Sequence, residues 1–458
     1  MPDLHLVVLA AGKGTRMKSR LPKVLHEVGG LPLIEHVLRT ADAIAPSSTV
    51  IVIGHEAAAI EERLSKRLGL LFALQDPQLG TGHALLQTEP LLKDRSGTVV
   101  LLSGDVPLLR SATLRTLVDH HRRTRAAATV VTAAMKDPAG YGRIVRTNGS
   151  ISAIVEHKDA SPAEREISEI NSGIYAFDLP PLFGALRKIG SQNAQGEYYL
   201  PDLVRVFRDM GLAVETFQVD DPAEIAGVNS RRELAEVGAV VRNARNDELM
   251  AAGVTIVDPA TTWIGPDVAV GADTVIHPNV QLEGRTRIGT DCVIHSGVRI
   301  VDSEIGSRVA INNHCVITES RVRDGARIGP FAHIRPASDV GPDAHIGNFV
   351  ELKKTTMGRG AKANHLAYLG DATIGEKVNV GAGTITCNYD GVAKHPTVIE
   401  DGAFIGSDSQ LIAPVRIGRG AYVAAGSSIT DDVPPEALAI ARGKQVNKEG
   451  WTRKAKKP

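Results

Sequence analysis

The apolar run Leu6–Leu9 leads straight into Leu9-Ala10-Ala11-Gly12-Lys13-Gly14-Thr15-Arg16-Met17, and Pro22-Lys23 follows a few residues later. Glycines placed directly after a strand let backbone N–H groups approach phosphate, while Arg16 and Lys23 add positive charge where a polyphosphate would lie. The dinucleotide fingerprint needs a third glycine where Met17 stands, and a Walker loop needs Gly-Lys-Ser/Thr after a four-residue gap, so neither common phosphate motif is present. Asp105 follows a second apolar run, Val99–Leu102. Taken alone, an aspartate before Val106-Pro107 serves as readily to cap a turn as to ligate a cation. Lys23 alone reads equally as a solvated lysine, and Glu156 as half of an ion pair with Lys158. A second polar set lies between residues 333 and 442: Arg335, Lys353, His365, Tyr368, Asn379, Asn388, Tyr389, Ser407 and Arg442. Single polar residues on a repeat surface are usually just solvated. His365, in Ala363-Asn364-His365-Leu366, stands apart, because an imidazole that is neutral near pH 7 has the proton affinity of a general base.

These residues need a scaffold, and the chain carries two. At 458 residues it exceeds what one core usually supports. Its 52 basic and 52 acidic residues cancel, which argues against a nucleic-acid or membrane-surface binder working through a global basic field and leaves small molecules as partners. The run Lys444 to Lys457 is basic and reads as a solvated tail. Three cysteines, Cys292, Cys315 and Cys387, without CxxC spacing fit neither a disulfide framework nor a zinc site. No signal-peptide h-region or membrane span is evident, so a soluble protein of the reducing cytoplasm is expected.

Up to about residue 230, short apolar runs such as Val50–Ile53 alternate with helix-like stretches, Leu33–Ala43, Ala57–Leu68 and Leu114–Thr124. This predicts an α/β domain on a mainly parallel sheet, with ligands beyond the carboxyl ends of the strands. Residues 231–252 are charged, rich in alanine and free of proline, and read as a connecting helix. From Trp263 the period becomes six: Ile264, Val270, Ile276, Leu282, Ile288, Ile294 and Ile300, then, after a step of five, Ile305, Ile311 and Ile317. The series continues through Val322, Ile328, Ile334, Val340, Ile346 and Leu352, then Ile374 and Val380, and, past an interruption at 388–396, Ile405, Leu411, Ile417, Val423 and Ile429. A helix cannot hold that period on one face, whereas a triangular parallel β-helix places every sixth side chain inside.

The fixed positions of the segment Leu9 to Lys23 match L-x-x-G-x-G-T-x-M-x4-P-K, the signature of the sugar-phosphate nucleotidyltransferases, which the chain resembles. Further motifs resemble one branch, the bifunctional N-acetylglucosamine-1-phosphate uridylyltransferase/glucosamine-1-phosphate acetyltransferases. They are Gln75-Asp-Pro-Gln78-Leu79-Gly80-Thr81-Gly82-His83, Ser103-Gly104-Asp105-Val106-Pro107, Gly140-Tyr141-Gly142-Arg143, Glu156-His157-Lys158-Asp159, Asn171-Ser172-Gly173 and Gly227-Val228-Asn229. In the second half they are Phe331-Ala-His-Ile-Arg335-Pro336, Asn348-Phe-Val-Glu351-Leu352-Lys353, His365-Leu-Ala-Tyr368 and Asn379-Val-Gly-Ala382 through Asn388-Tyr389.

The resemblance implies a Rossmann-like nucleotidyltransferase domain (1–231), a linker helix (232–252) and a left-handed parallel β-helix of hexapeptide repeats (253–458). It implies that Leu9, Ala10, Ala11, Gly12, Arg16, Lys23, Ser103 and Gly104 hold nucleotide, that Gln75, Gly80 and Thr81 read uracil, and that Gly142, Glu156 and Asn171 hold N-acetylglucosamine 1-phosphate. Asp105 and Asn229 would ligate Mg2+ in uridylyl transfer from UTP. In the β-helix His365 would be the general base. Arg335 and Lys353 would hold the phosphate of glucosamine 1-phosphate, Tyr368 and Asn379 its ring, and Ala382, Asn388, Tyr389, Ser407, Ala425 and Arg442 acetyl-CoA. A homotrimer is implied, since a solenoid offers no cleft of its own. Two departures stand out: Ser103 where the family often has an aromatic residue, and Ala337 where it often has glycine. Two alternatives are a single-activity sugar-1-phosphate nucleotidyltransferase whose β-helix is structural or regulatory, and a non-catalytic trimerising module.

Overall fold

The computed structural model describes residues 3–454, and the chain divides into two compact units, residues 1–241 and 242–458. In the first, the main sheet runs in the order Val214–Gln218, Ala128–Ala134, Glu169–Asp178, Thr98–Ser103, Leu4–Leu9, Ser48–Ile53, Leu70–Leu74. Alternate residues feed opposite cores, with Leu6, Val8 and Val100 in one and Val7, Val50, Val99 and Leu101 in the other. The unbroken Val/Ile/Leu runs follow from that, since both faces are covered by helices. Helices form at Leu33–Asp42, Ala57–Leu64 and Ser111–Thr124. The second stops short of the expected Leu68, which is 96% exposed and has no core to reach.

Leu4–Leu9 lies between Ser48–Ile53 and Thr98–Ser103, parallel to both. The strand order reverses there, which opens a crevice beyond the carboxyl ends. The strand Glu169–Asp178 is antiparallel to both neighbours, so the sheet is mixed rather than uniformly parallel. Its register on Ala128–Ala134 slips between Asn171 and Tyr175, with Gly173 at φ 79°. Such bulges re-aim side chains beside functional sites. A hairpin, Arg143–Thr147 with Ser150–Val155, joins the sheet edge where Arg143 pairs with Ile170.

The charged stretch forms a helix, Arg231–Ala251. In the second unit its Asn246 is fully buried and donates to the carbonyls of Pro259 and Thr262, each at 3.0 Å, which ties the helix to the first coil. Three sheets of short parallel strands follow, with eleven, ten and nine strands. Ile276 pairs with Ile294 and Ile294 with Ile311, so a coil takes eighteen residues or, where the period slips by one, seventeen.

The aliphatic series is the interior: its members form one core cluster, with Val270 packed against its edge. Beyond that series, a second inward set lies two residues before each aliphatic: Thr262, Val268, Thr274, Val280, Thr286, Cys292, Val298, Ser303, Val309 and Cys315 begin it, all buried. Just ahead of several of these, Asp273, Asn279, Asp291, Asp302, Arg308 and His314 take φ between 46° and 62°. The chain therefore turns these corners through a left-handed residue, which Asp and Asn tolerate best, and then drops a small side chain into the narrow vertex. Cys292 and Cys315 are two of those vertex residues. Exposed ion pairs such as Arg299–Glu283 and Arg323–Asp339, both 2.6 Å, join successive coils. Each adds under about 1 kcal/mol, so stacking rests on the apolar interior. The tail from Lys444 is exposed as far as Thr452, and residues 455–458, including Lys457, lie outside the described residues.

Candidate active sites

In the first unit the loop after Leu4–Leu9 and the loops after Leu70–Leu74 and Thr98–Ser103 enclose a cleft of about 430 Å³ that Leu9 to Lys13, Lys23, Gln75, Gly80, Thr81, Ser103 and Asp105 help to line. A second lobe of about 250 Å³ brings in Gly142, Glu156, Asn171, Tyr175 and Asn229, and shares Leu9, Thr81, Ser103 and Asp105 with the first. Most residues expected to hold nucleotide and sugar thus line two adjoining chambers that meet at Asp105, while Arg16 and Gly104 are in neither lining.

Local chemistry explains this shape. Gly14 sits at φ 57° and a Cβ there would come within 2.7 Å of Lys23 Cβ. Only glycine lets the loop fold back onto Lys23. Gly80, at φ 106°, packs so closely on the 197–198 backbone that a Cβ would lie 2.8 Å from the Tyr198 carbonyl. Buried Gln75 donates to the Gly80 carbonyl at 2.9 Å. In the second lobe a Cβ on Gly142 would stand 3.3 Å from Glu156 Oε1 and 3.5 Å from Asn171 Cβ, so glycine keeps this chamber open. Burial pushes the Glu156 carboxyl above the usual carboxylate range, and Asp159 and Asp202 add to the effect. Burial likewise raises the Tyr175 phenol.

The Lys23 ammonium pairs with Asp105 and lies 3.1 Å from Asn229 Oδ1, to which Arg16 also donates at 2.9 Å. Ser103 Oγ donates to the other Asp105 oxygen. A carboxylate and a carboxamide oxygen therefore converge on one positive charge. Among the described residues no group of three or more His, Cys, Asp or Glu side chains could hold a metal. A divalent cation here would have to complete its shell with phosphate and water, the habit of magnesium, and the donor set fits it.

In the β-helix, His365 ends the strand Lys362–His365 and is exposed. Its Nδ1 is 2.6 Å from Asn348 Oδ1, its ladder partner on the preceding coil. Continuing the ladder, Val380, Ile405 and Val423 stack above Ala363. Two residues further along each strand this carries Ala382, Ser407 and Ala425 into one column with His365. Arg442 closes the column, donating to the Ala425 carbonyl at 2.7 Å. Around the next corner, Tyr368 stands over Gly370, where a Cβ would lie 2.5 Å from the Tyr368 hydroxyl and 2.7 Å from Asn388 Nδ2. Gly370 is in register with Lys353, and Arg335 is held by Glu351 at 2.7 Å. Asn388 donates to Asp371 at 2.6 Å.

Tyr389 begins the loop that interrupts the repeat and is exposed. Asn379, by contrast, opens its strand opposite Lys362, three residues or about 10 Å from the level of His365. One chain does not bring the two together.

Sequence reasoning missed several residues. Lys13, Gln78 and Glu197 line the first chamber and Tyr175 the second. Asn348 touches the imidazole. The Lys394 ammonium lies beside Lys353 and pushes its pKa down, making a cationic trio with Arg335. Asn348 and Tyr175 lie in or next to quoted motifs, and Lys394 in the break of the repeat, so the signal was position rather than residue type.

Residues 6–167 match the MobA-like NTP transferase domain, and residues 267–302 and 396–431 match the bacterial transferase hexapeptide (six repeats). The chain is 51% identical over 455 residues to the bifunctional protein GlmU of Shouchella clausii, covering 99% of this chain and all of that one. It is 50% identical over 449 residues to that of an Exiguobacterium species (98% and 99% covered) and over 457 residues to that of Geotalea uraniireducens (100% of both).

Proposed function

The chain belongs to the family of bifunctional GlmU proteins, and from that premise we propose how its residues divide the work. It is a two-activity enzyme of UDP-N-acetylglucosamine biosynthesis, an α/β nucleotidyltransferase followed by a left-handed β-helix of hexapeptide repeats. Acetyl transfer from acetyl-CoA to glucosamine 1-phosphate precedes uridylyl transfer from UTP to N-acetylglucosamine 1-phosphate, with release of pyrophosphate. The observation that carries this is identity near 50% from end to end. We assign residues 1–231 to uridylyl transfer, 232–252 to the linker and 253–458 to acetyl transfer.

In uridylyl transfer, the loop Leu9 to Gly12 with Arg16 and Lys23 holds the triphosphate, Gln75, Gly80 and Thr81 hold the uracil, and Gly142, Glu156 and Asn171 hold the sugar. Asp105 and Asn229 are the residues that would hold Mg2+. Magnesium, when bound there, supplies neutralising charge to the phosphates. Two chambers that share Ser103 and Asp105 let the sugar phosphate approach the α-phosphorus in line. Alignment and charge carry the step, and no protein nucleophile is needed.

In acetyl transfer, His365 takes the proton from the sugar amine as nitrogen attacks the thioester carbonyl, and the C–S bond breaks to release coenzyme A. The Asn348 carbonyl oxygen, accepting from Nδ1–H, leaves Nε2 free as the base. Arg335 and Lys353, with Lys394 beside them, hold the phosphate. Tyr368 and Asn379 hold the ring, and Ala382, Asn388, Tyr389, Ser407, Ala425 and Arg442 line the acetyl-CoA path. The distance of Asn379 from His365 supports a homotrimer in which a neighbouring copy completes the site. So do the exposed Phe331, Phe349 and Leu366, which stack along the corner next to His365. Three free cysteines suit the reducing cytoplasm, and among the described residues no helix is long and apolar enough to cross a membrane.

Purified protein supplied with glucosamine 1-phosphate, acetyl-CoA, UTP and Mg2+, each omitted in turn, tests the scheme. His365→Ala removes acetyl transfer and spares uridylyl transfer, and Asp105→Ala does the reverse. Loss of both activities in either variant would sink the separation of sites.

A further inference from the structure

Arg143 is the largest fully buried side chain of the molecule, 1% exposed, yet it forms no ion pair among the described residues. Its guanidinium donates to the Tyr141 carbonyl and to the Arg165 carbonyl at 3.5 Å, and meets His157 Nδ1 at 3.4 Å. Its Nε finds no partner among the described residues. Burying a guanidinium without a carboxylate is costly, so the cost calls for a reason. Two lie within reach. Tyr141 belongs to the turn Gly140–Gly142 that walls the sugar chamber, and Asn171 N–H donates to the Gly142 carbonyl at 2.9 Å. Glu156, in the same wall, faces three other carboxylates, Asp159, Asp202 and Glu197, and feels Arg143 as an opposing positive charge. The phenols of Tyr175 and Tyr199 also face it.

We propose that Arg143 is a positioning residue for the sugar chamber, a buried guanidinium that pins the Gly140–Gly142 turn through the Tyr141 carbonyl and supplies the positive charge facing Glu156. The inference rests on the reading of Glu156 as a sugar ligand. The charge favours the ionised carboxylate, an acceptor for sugar hydroxyls, in a wall where burial and three neighbours favour the proton.

The test compares Arg143→Met and Arg143→Lys in full-length protein, measuring kcat/KM for N-acetylglucosamine 1-phosphate from pH 5 to 9, with the KM for UTP and the thermal melt as folding controls for the first unit. Arg143→Met raises KM for the sugar phosphate about tenfold, the worth of a charged hydrogen bond, and moves the acidic limb to higher pH. Arg143→Lys leaves that limb in place. A limb that stays put in Arg143→Met overturns the proposal, and so does one that shifts equally in Arg143→Lys. If Arg143→Met does not fold, Arg143→Lys is compared with Glu156→Gln, in which the acidic limb should vanish. A limb that survives in Glu156→Gln shows that it is not this carboxyl and overturns the proposal. A sugar KM unchanged in Glu156→Gln refutes instead the reading of Glu156 as a ligand.

Discussion

Replacing Gly370 by alanine separates the two activities through a single methyl group. The new Cβ would lie 2.5 Å from the Tyr368 hydroxyl, 2.8 Å from Tyr368 Cζ and 2.7 Å from Asn388 Nδ2. Carbon contacts relax at about 3.5 to 4.0 Å, so the phenol tip must retreat by about 1 Å. The atoms in the way are the ends of side chains, and the backbone stays put: Gly370 N–H keeps its 2.7 Å bond to Thr386 Oγ1. The cost in stability is then that of a strained Asn388–Asp371 bond, about 1 kcal/mol, or roughly 2–4 °C in Tm for a unit of this size. The cost in catalysis is larger, because a 1 Å misplacement of a substrate-holding group is worth about a hundredfold in rate, near 2.7 kcal/mol in the transition state. Coenzyme A release from acetyl-CoA with glucosamine 1-phosphate as acceptor should fall by about that factor while pyrophosphate release from UTP and N-acetylglucosamine 1-phosphate is untouched. In a Tyr368→Ala background the same change should add little, because both act on one group. Undiminished acetyl transfer in Gly370→Ala, or a full further loss in the double variant, would refute the reasoning.

Gly14→Ala should do the opposite: it forces alanine to φ 57° and its methyl into Lys23, lowering uridylyl transfer at least tenfold and stability by about 1 kcal/mol, with acetyl transfer retained. The buried His121, bonded to Thr129 Oγ1 at 2.9 Å, is held down to about 4 by burial, with help from Arg122 and His120. Its unfolded value is 6.5, so the unfolded chain binds the extra proton between those values. Stability is therefore complete above about pH 6.5 and is lost as pH falls toward 4, by up to about 3 kcal/mol. Thermal melts of His121→Asn across that window should be flatter than those of the parent. Burial raises all three thiols, Cys315 up to about 11, but only Cys387 is partly exposed while Cys292 and Cys315 are buried, so a chromogenic disulfide should titrate only Cys387 in native protein and all three after unfolding. Early reaction of three thiols would contradict the vertex packing.

The sequence by itself determined what depends on periodicity and local chain chemistry. A six-residue aliphatic period has one geometric solution, and every expected aliphatic position lies in or against the core. Glycines at 14 and 80 marked loops because backbone dihedrals and close approach are properties of the chain itself. What needs two distant segments to meet was decided only by the fold. The antiparallel Glu169–Asp178 strand and its bulge arise from pairing partners more than thirty residues away, and no local pattern announces them. The meeting of Lys23, Asp105 and Asn229 spans the whole first unit. In the β-helix the coil length sets which residues share a column. Asn348 therefore reaches His365 across seventeen positions, while Asn379, nearer in sequence at fourteen, stays apart. Side chains that look alike along the chain differ in the field they experience. In sequence Arg143 closes the motif Gly140-Tyr141-Gly142-Arg143 with no role of its own, and only its burial against backbone carbonyls makes it a charge the protein had to place.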